Sequence, residues 1–245
     1  MNQKALLTFI VFLLISVAKS QVTYQFIGGG YTYSHLKNLP RLDAIIDQFN
    51  NVNPWMTNKI PHLRQMSGIN FSSGTSNDID HTMFQFAWVG RNGTVSGSGI
   101  EPISGQNKTQ EIHIRSNTFN IDMGFHAASF LEPGISFTLG NVAVFQRSYY
   151  TIGTIPDYTK ISNSDFTCGL GLFMKILIPL SPKDIVKLAI TPYYDIMALP
   201  TKYGDLDSQL GVPISGIFYP PDHDYLGNYG ILISLQIGKS KKLYN

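Results

Sequence analysis

Apolar and polar residues alternate through most of the chain, and most sharply in NYGILISLQIG. There Tyr229, Ile231, Ile233, Leu235 and Ile237 fall on one face, and Gly230, Ser234, Gln236 and Gly238 fall opposite with Leu232. A period of two is that of a strand, whose successive side chains point to opposite sides. The segment after Asn117 repeats it, with Phe119, Ile121, Met123 and Phe125 alternating with Asn120, Asp122, Gly124 and His126. In DFTCGLGLFMKI, Phe166, Cys168, Leu170, Leu172, Met174 and Ile176 oppose Thr167, Gly169, Gly171 and Lys175. Weaker versions occur in TYQFIGGGYTY, INFSSG, MFQFAWVG, ISFTLGNVAVFQR and VKLAITPYYD. In the first of these, Gly28-Gly29-Gly30 interrupts the register, as a bulge or sharp bend would. The pattern predicts eight strands of roughly 9–17 residues, the length of tilted membrane strands.

The connections order these strands. GTSND, a stretch ending EPG, and PLSPKD are short and rich in turn formers. The other four connections, roughly residues 35–66, 92–109, 151–163 and 198–225, are long, and such alternation marks an up-and-down barrel with short turns on one side. The expected fold is all-β: an antiparallel up-and-down transmembrane β-barrel of about eight strands. The first long loop carries LPRLDAIIDQFN, where Pro40 suits a helix start and Leu42, Ile45, Ile46 and Phe49 recur at helical spacing. A second short helix is predicted from Pro61 to Met66, stopped by Gly68. The second long loop, NGTVSGSGIEPISGQNKT, reads as a mobile Gly/Ser-rich segment.

Ahead of the strands, Lys4 precedes an unbroken apolar run from Ala5 to Val17, followed by Ala18-Lys19-Ser20. The run is too short to cross a ~30 Å hydrocarbon layer as a helix. With small residues at the cleavage positions it predicts a secretory signal peptide over 1–20, leaving 21–245 as one barrel domain. The protein is expected to be exported.

Composition narrows the field. Only 14% of residues are charged, against about 25% in average soluble domains. Without Lys4 and Lys19, 16 basic side chains face 16 acidic ones. A neutral chain lacks the electrostatic footprint of a nucleic-acid binder. A single cysteine, Cys168, excludes a disulfide framework and a thiolate zinc site.

The signal peptide, the eight segments and the terminal strand YGILISLQIGK resemble the small bacterial outer-membrane β-barrels of the OmpA-transmembrane, OmpX and OmpW type. KSKKLYN follows the last strand here, where many such barrels end on an aromatic residue. The resemblance implies the bacterial outer membrane as location and outer-membrane lipid as partner, with another outer-membrane protein as a second. It also implies a non-enzymatic protein acting through external loops or within a larger membrane assembly, with no cofactor.

Candidate residues follow from the register. Phe119, Ile121, Met123, Phe125, Leu170, Leu172, Ile231, Ile233, Leu235 and Ile237 are expected to face lipid. An eight-stranded barrel is filled by its own side chains or holds one small ligand. Asp122, His126, Lys175, Lys187 and Asp195 are therefore expected in a lumen network, with Gln25, Gln85 and Gln236 among its neighbours and the two aspartates paired to the two lysines. The helix stripe Leu42, Ile45, Ile46 and Phe49 either caps the mouth or docks a partner. Asp205, Asp207, Asp222 and Asp224, with His223, are weak candidates for a Ca²⁺ site and fit no EF-hand spacing. His35, Glu111, His113 and Ser148 lie at the expected external rim but in no catalytic motif, and no catalytic residue is assigned. Two alternatives stay open. A soluble exported lipocalin-like barrel would turn its apolar faces inward around a small apolar ligand. A lipid-modifying hydrolase would need a working His at the rim.

Overall fold

The computed structural model describes residues 24–77, 80–161, 165–181, 185–212 and 223–240; the expected signal peptide lies outside them. Eight long strands form the wall: β1 (Tyr24–Leu36), β2 (Gln65–Asn77), β3 (Thr82–Ile100), β4 (Asn107–Phe125), β5 (Leu131–Tyr150), β6 (Asp165–Pro179), β7 (Val186–Met197) and β8 (Asn228–Ser240). Each pairs antiparallel with its neighbours in sequence, and β1 pairs with β8, which closes the ring. This is an up-and-down β-barrel. Closure removes every open edge from the wall.

The three glycines of β1 make no bulge. Its register runs unbroken from Tyr24 opposite Ser240 to Leu36 opposite Asn228, and equally against β2. Close approach explains Gly30 instead, since a Cβ there would lie 1.9 Å from the Ile233 carbonyl oxygen. The predicted helix over 61–66 is also absent, because Gln65 already opens β2.

The largest departure lies in β3, β4 and β5, which run 19, 19 and 20 residues. A tilted strand needs only about 9–11 residues to cross a bilayer. Pairing of β2 to β3 stops at Asn92, and pairing of β6 to β5 stops at Val142, yet β3 and β4 stay paired to Ile100 and Asn107. The Gly/Ser-rich stretch after Asn92 is therefore strand, and a tongue of three strands projects beyond the ring. Its small residues serve packing. A Cβ on Gly99 would meet the Trp55 carbonyl oxygen at 2.3 Å, and Asn58 bridges to Ser98 across the same contact.

Against the concave side of the tongue packs α1 (Pro40–Val52), from the β1–β2 connection, with α2 (Leu206–Gln209) and nearby residues of the β7–β8 connection. Together they bury Leu39, Leu42, Ile46, Ile112, Ile114, Val144 and Leu206 almost completely. Two cores result: an apolar one above the ring and a polar one inside it.

Candidate functional site

The ring is apolar outside and polar inside. Phe119, Phe125, Leu170, Leu172, Ile233, Leu235 and Ile237 are each more than 40% exposed on the outer face, as are Ile27, Phe71, Ile135 and Ile196. Met123 lies on that face, as do the half-buried Ile121 and Ile231. Inward positions of the same strands carry Gln85, Asn120, Asp122, Thr138, Lys175, Thr191, Asp195 and Gln236, all buried. A water-soluble barrel has the reverse arrangement, so the lipocalin-like alternative fails on the direction of the side chains. The wall is that of an inside-out β-barrel, apolar outward and polar inward.

Within the barrel, polar groups fill the lumen in two tiers. Near the short connections, Glu132 accepts a hydrogen bond from Ser76 Oγ at 2.6 Å and lies 3.1 Å from His126 Nδ1 and 3.3 Å from Lys175 Nζ. Among the described residues Lys187 pairs with no carboxylate; its ammonium sits over the Tyr24 ring at 4.2 Å. Higher up, Asp122 accepts from Gln85 Nε2 at 2.8 Å and Ser136 Oγ at 2.6 Å. Asp195 faces Arg91 at 3.9 Å, and the Arg91 guanidinium lies 5.2 Å from the centroid of the Tyr193 ring.

All five expected lumen residues thus point inward, but their partners differ from expectation. Glu132 and Arg91 take the roles given to the two aspartates and the two lysines. The sequence pattern puts Glu132 in a short connection and Arg91 just past the segment MFQFAWVG, and only closure of the ring brings them to the lumen. Gln25 is corrected outright: it is exposed on the outer face, because Tyr24 and Phe26 take the inward positions.

Among the described residues, the α1 layer covers the mouth at the long-connection end. Where the lumen meets the upper core, a cavity of about 10 Å³ remains among Ser34, Arg91, Thr167 and Leu226, room for about one water. The stripe Leu42, Ile45, Ile46 and Phe49 is 0–6% exposed. That corrects its reading as a docking face, since this chain's own tongue already covers it.

The aspartates offered for Ca²⁺ are dispersed over other tasks. Asp224 accepts the backbone N–H groups of Arg41 and Leu42 at 3.0 Å each, and the Tyr203 hydroxyl at 2.8 Å. Asp207 pairs with Arg41 at 3.1 Å, Asp205 is exposed beside α2, and Asp222 lies outside the described residues. His223 stacks edge-on against Tyr225. Among the described residues, no three His, Cys, Asp or Glu side chains group to hold a metal.

Of the rim candidates, only Glu111 and His113 meet, two residues apart on the outer face of the tongue. His35 lies against Tyr229 on the outer wall, and Ser148 sits at an inward position of β5. Glu111 accepts from Arg147 Nε at 2.6 Å, Tyr158 at 2.8 Å and Tyr149 at 3.0 Å. Burial raises its pKa, but these three donors outweigh it and hold the carboxyl below the usual range. His113 bonds Thr94 Oγ1 through Nδ1 at 2.8 Å and stacks on Tyr158 at 5.0 Å. Burial, then Arg115, lowers its pKa, and Arg147 adds to this against Glu111. The carboxylate is thus taken up by three donors of its own. This arrangement ties the described part of the β5–β6 connection, residues 151–161, down onto the tongue through Tyr158. The signal that could have shown it is the aromatic-basic run Arg147-Ser148-Tyr149-Tyr150 beside Tyr158.

No family model matches the sequence, and no curated protein matches it. Among solved structures, Ail, the attachment invasion locus protein of Yersinia pestis, in complex with the heparin analogue sucrose octasulfate, is 10% identical over 87% of this chain and 98% of that one, with a TM-score of 0.40. Another structure of Ail is 11% identical over 89% of this chain and all of the other, with a TM-score of 0.38. A likeness at this level adds nothing to what the strand register already shows.

Proposed function

We propose that this chain is an exported protein of the bacterial outer membrane, without enzymatic activity, that presents a rigid structure outside the membrane on a plugged barrel. One observation carries the reading. The outer wall carries an apolar belt while the lumen is filled by buried polar and charged side chains, an arrangement that is favourable only in a bilayer. The tongue and the α1 layer then stand on the external side, with the short connections and both chain ends of the barrel on the periplasmic side. A plugged lumen and a covered mouth argue against a diffusion pore, so the work falls to the external structure or to lateral contact with another outer-membrane protein.

The supporting test is fractionation of the expressed protein, with the membrane pellet run on a gel with and without boiling. A membrane-bound species whose mobility shifts on heating is the expected result. Protein that stays soluble without detergent overturns the reading.

A further inference from the structure

The apolar belt is not uniform. On the outer face of β8, β1 and β2, bulky side chains give way to Gly29 and Ser73, and two shallow, open depressions adjoin in the wall, meeting at Ile27 and Ile237. The larger one runs toward the ends of β1 and β8. Phe84 and Phe86, packed edge to face at 4.8 Å, form one bank, and Ile237 forms the other. Its floor is small because Ser73 stands beside Ile27 in the register and opposite Phe86, where a large residue would fill the gap. Its lower end is polar, with Gln25 paired across to Thr75 on one side and to Lys239 on the other. Lys239 is the only charged residue among the described residues lining this groove, and the sequence continues with Lys241 and Lys242.

We propose that this groove binds one acyl chain of an anionic glycerophospholipid from the periplasmic leaflet, with the phosphate held at Lys239. The inference rests on the membrane reading above. Three features select this occupant: the groove opens onto the hydrocarbon layer, it is apolar between Phe86 and Ile237 and polar only at its lower end, and the one charge among the described residues lining it, Lys239, is positive and sits at that end. An acyl chain fits an elongated apolar trough that ends in donors. A free phosphate or a water-soluble ligand has no route to the apolar part.

The test is native mass spectrometry of the purified chain in mild detergent, titrated with phosphatidylglycerol and separately with phosphatidylcholine. The wild-type chain should retain a single phosphatidylglycerol before further adducts appear, in preference to phosphatidylcholine. Ser73→Trp, which fills the trough, should weaken that adduct severalfold, because the chain loses its packing contacts with the groove floor while its hydrocarbon surroundings stay the same. Lys239→Glu should abolish the preference between the two lipids. Ile135→Trp, on the far side of the ring, should leave the adduct unchanged. If Ser73→Trp does not fold, Phe86→Ala removes a bank instead and reads the same loss.

An adduct indifferent to Ser73→Trp and Phe86→Ala, or equal binding of both lipids by the wild type, overturns the proposal. So does a two-chain mass that Ser73→Trp disperses, which assigns the groove to a second copy of the chain. Every variant is first checked for the heat-dependent mobility shift. Loss of that shift in the wild type brings down the membrane reading, whereas a folded membrane barrel without the groove-dependent adduct brings down this inference alone.

Discussion

Asp224 accepts the backbone N–H of Leu42 at 3.0 Å, joining the β7–β8 connection to the start of α1 across 182 residues of chain. Leu39, at the cap position of that helix, offers no side-chain hydrogen bond. A carboxylate from elsewhere therefore satisfies the exposed helix donors and meets the positive end of the helix dipole. Asp224→Ala should cost the external layer about 0.5–2 kcal/mol, the range for losing a helix cap. The heat-dependent mobility shift of the barrel should survive while limited proteolysis begins to cut within residues 37–64. Unchanged protease resistance would show that the apolar core alone holds α1.

Glu132 is 1% exposed and serves as acceptor or counter-ion to Ser76, His126 and Lys175. Removing one partner of a buried pair strands the other charge, at a cost of about 3–5 kcal/mol. Glu132→Ala should show that loss in urea unfolding from lipid vesicles, followed by the fluorescence of Trp88 in the wall. The double variant Glu132→Leu with Lys175→Met should recover a large part of it, since neither charge is then left alone. A double variant as unstable as the single one would refute the pairing.

Ile233 is 41% exposed on the outer face of β8, between Ile231 and Leu235. Arginine there would stand in hydrocarbon, and Ile233→Arg should destabilise the barrel by about 2–4 kcal/mol in the same vesicle assay. Ser234→Ala, one position along and facing inward, should cost far less. Equal effects would contradict the orientation of the strand.

Acid should loosen the contact of Tyr158 with the tongue before it affects the ring. His113 has its folded-state pKa lowered from 6.5, so the neutral form favours the folded tongue. Its contribution is complete above pH 6.5 and falls as the pH drops through the folded value. Glu111, also lowered, contributes fully above its ordinary 4.5 and is lost below that. Hydrogen exchange near Tyr158 should therefore rise in two stages, the first beginning below about pH 6.5, and His113→Gln should remove that first stage. A profile flat down to pH 5 would refute the latch.

Much of the wall was legible in the sequence because strand alternation is local. Phe119 and Asp122 lie on opposite faces whatever the rest of the chain does, and a period of two carries that information within a few residues. The parity of β4, β6 and β8, the strand count and the up-and-down order all followed from such local patterns and from connection lengths. The helix over Pro40–Val52 followed equally from its own spacing.

Glycine-rich stretches misled for a physical reason. Small residues serve both mobile loops and close backbone contacts, and the segment Asn92–Ile100 is strand because the chain around Trp55 and Asn58 packs onto it from far away in sequence. The same holds for the stripe Leu42, Ile45, Ile46 and Phe49. Its helical spacing predicts that something apolar must cover it, and whether that is a partner or this chain is decided only once the tongue exists.

By itself the sequence determined which side chains share a face, since that depends on the geometry of one strand or one turn of helix. The tertiary structure decided which faces meet. Ring closure chose Glu132 over Asp122 as the counter-ion of Lys175, and Arg91 as that of Asp195. Pairing across a barrel depends on the stagger of all eight strands, a quantity that no single segment contains.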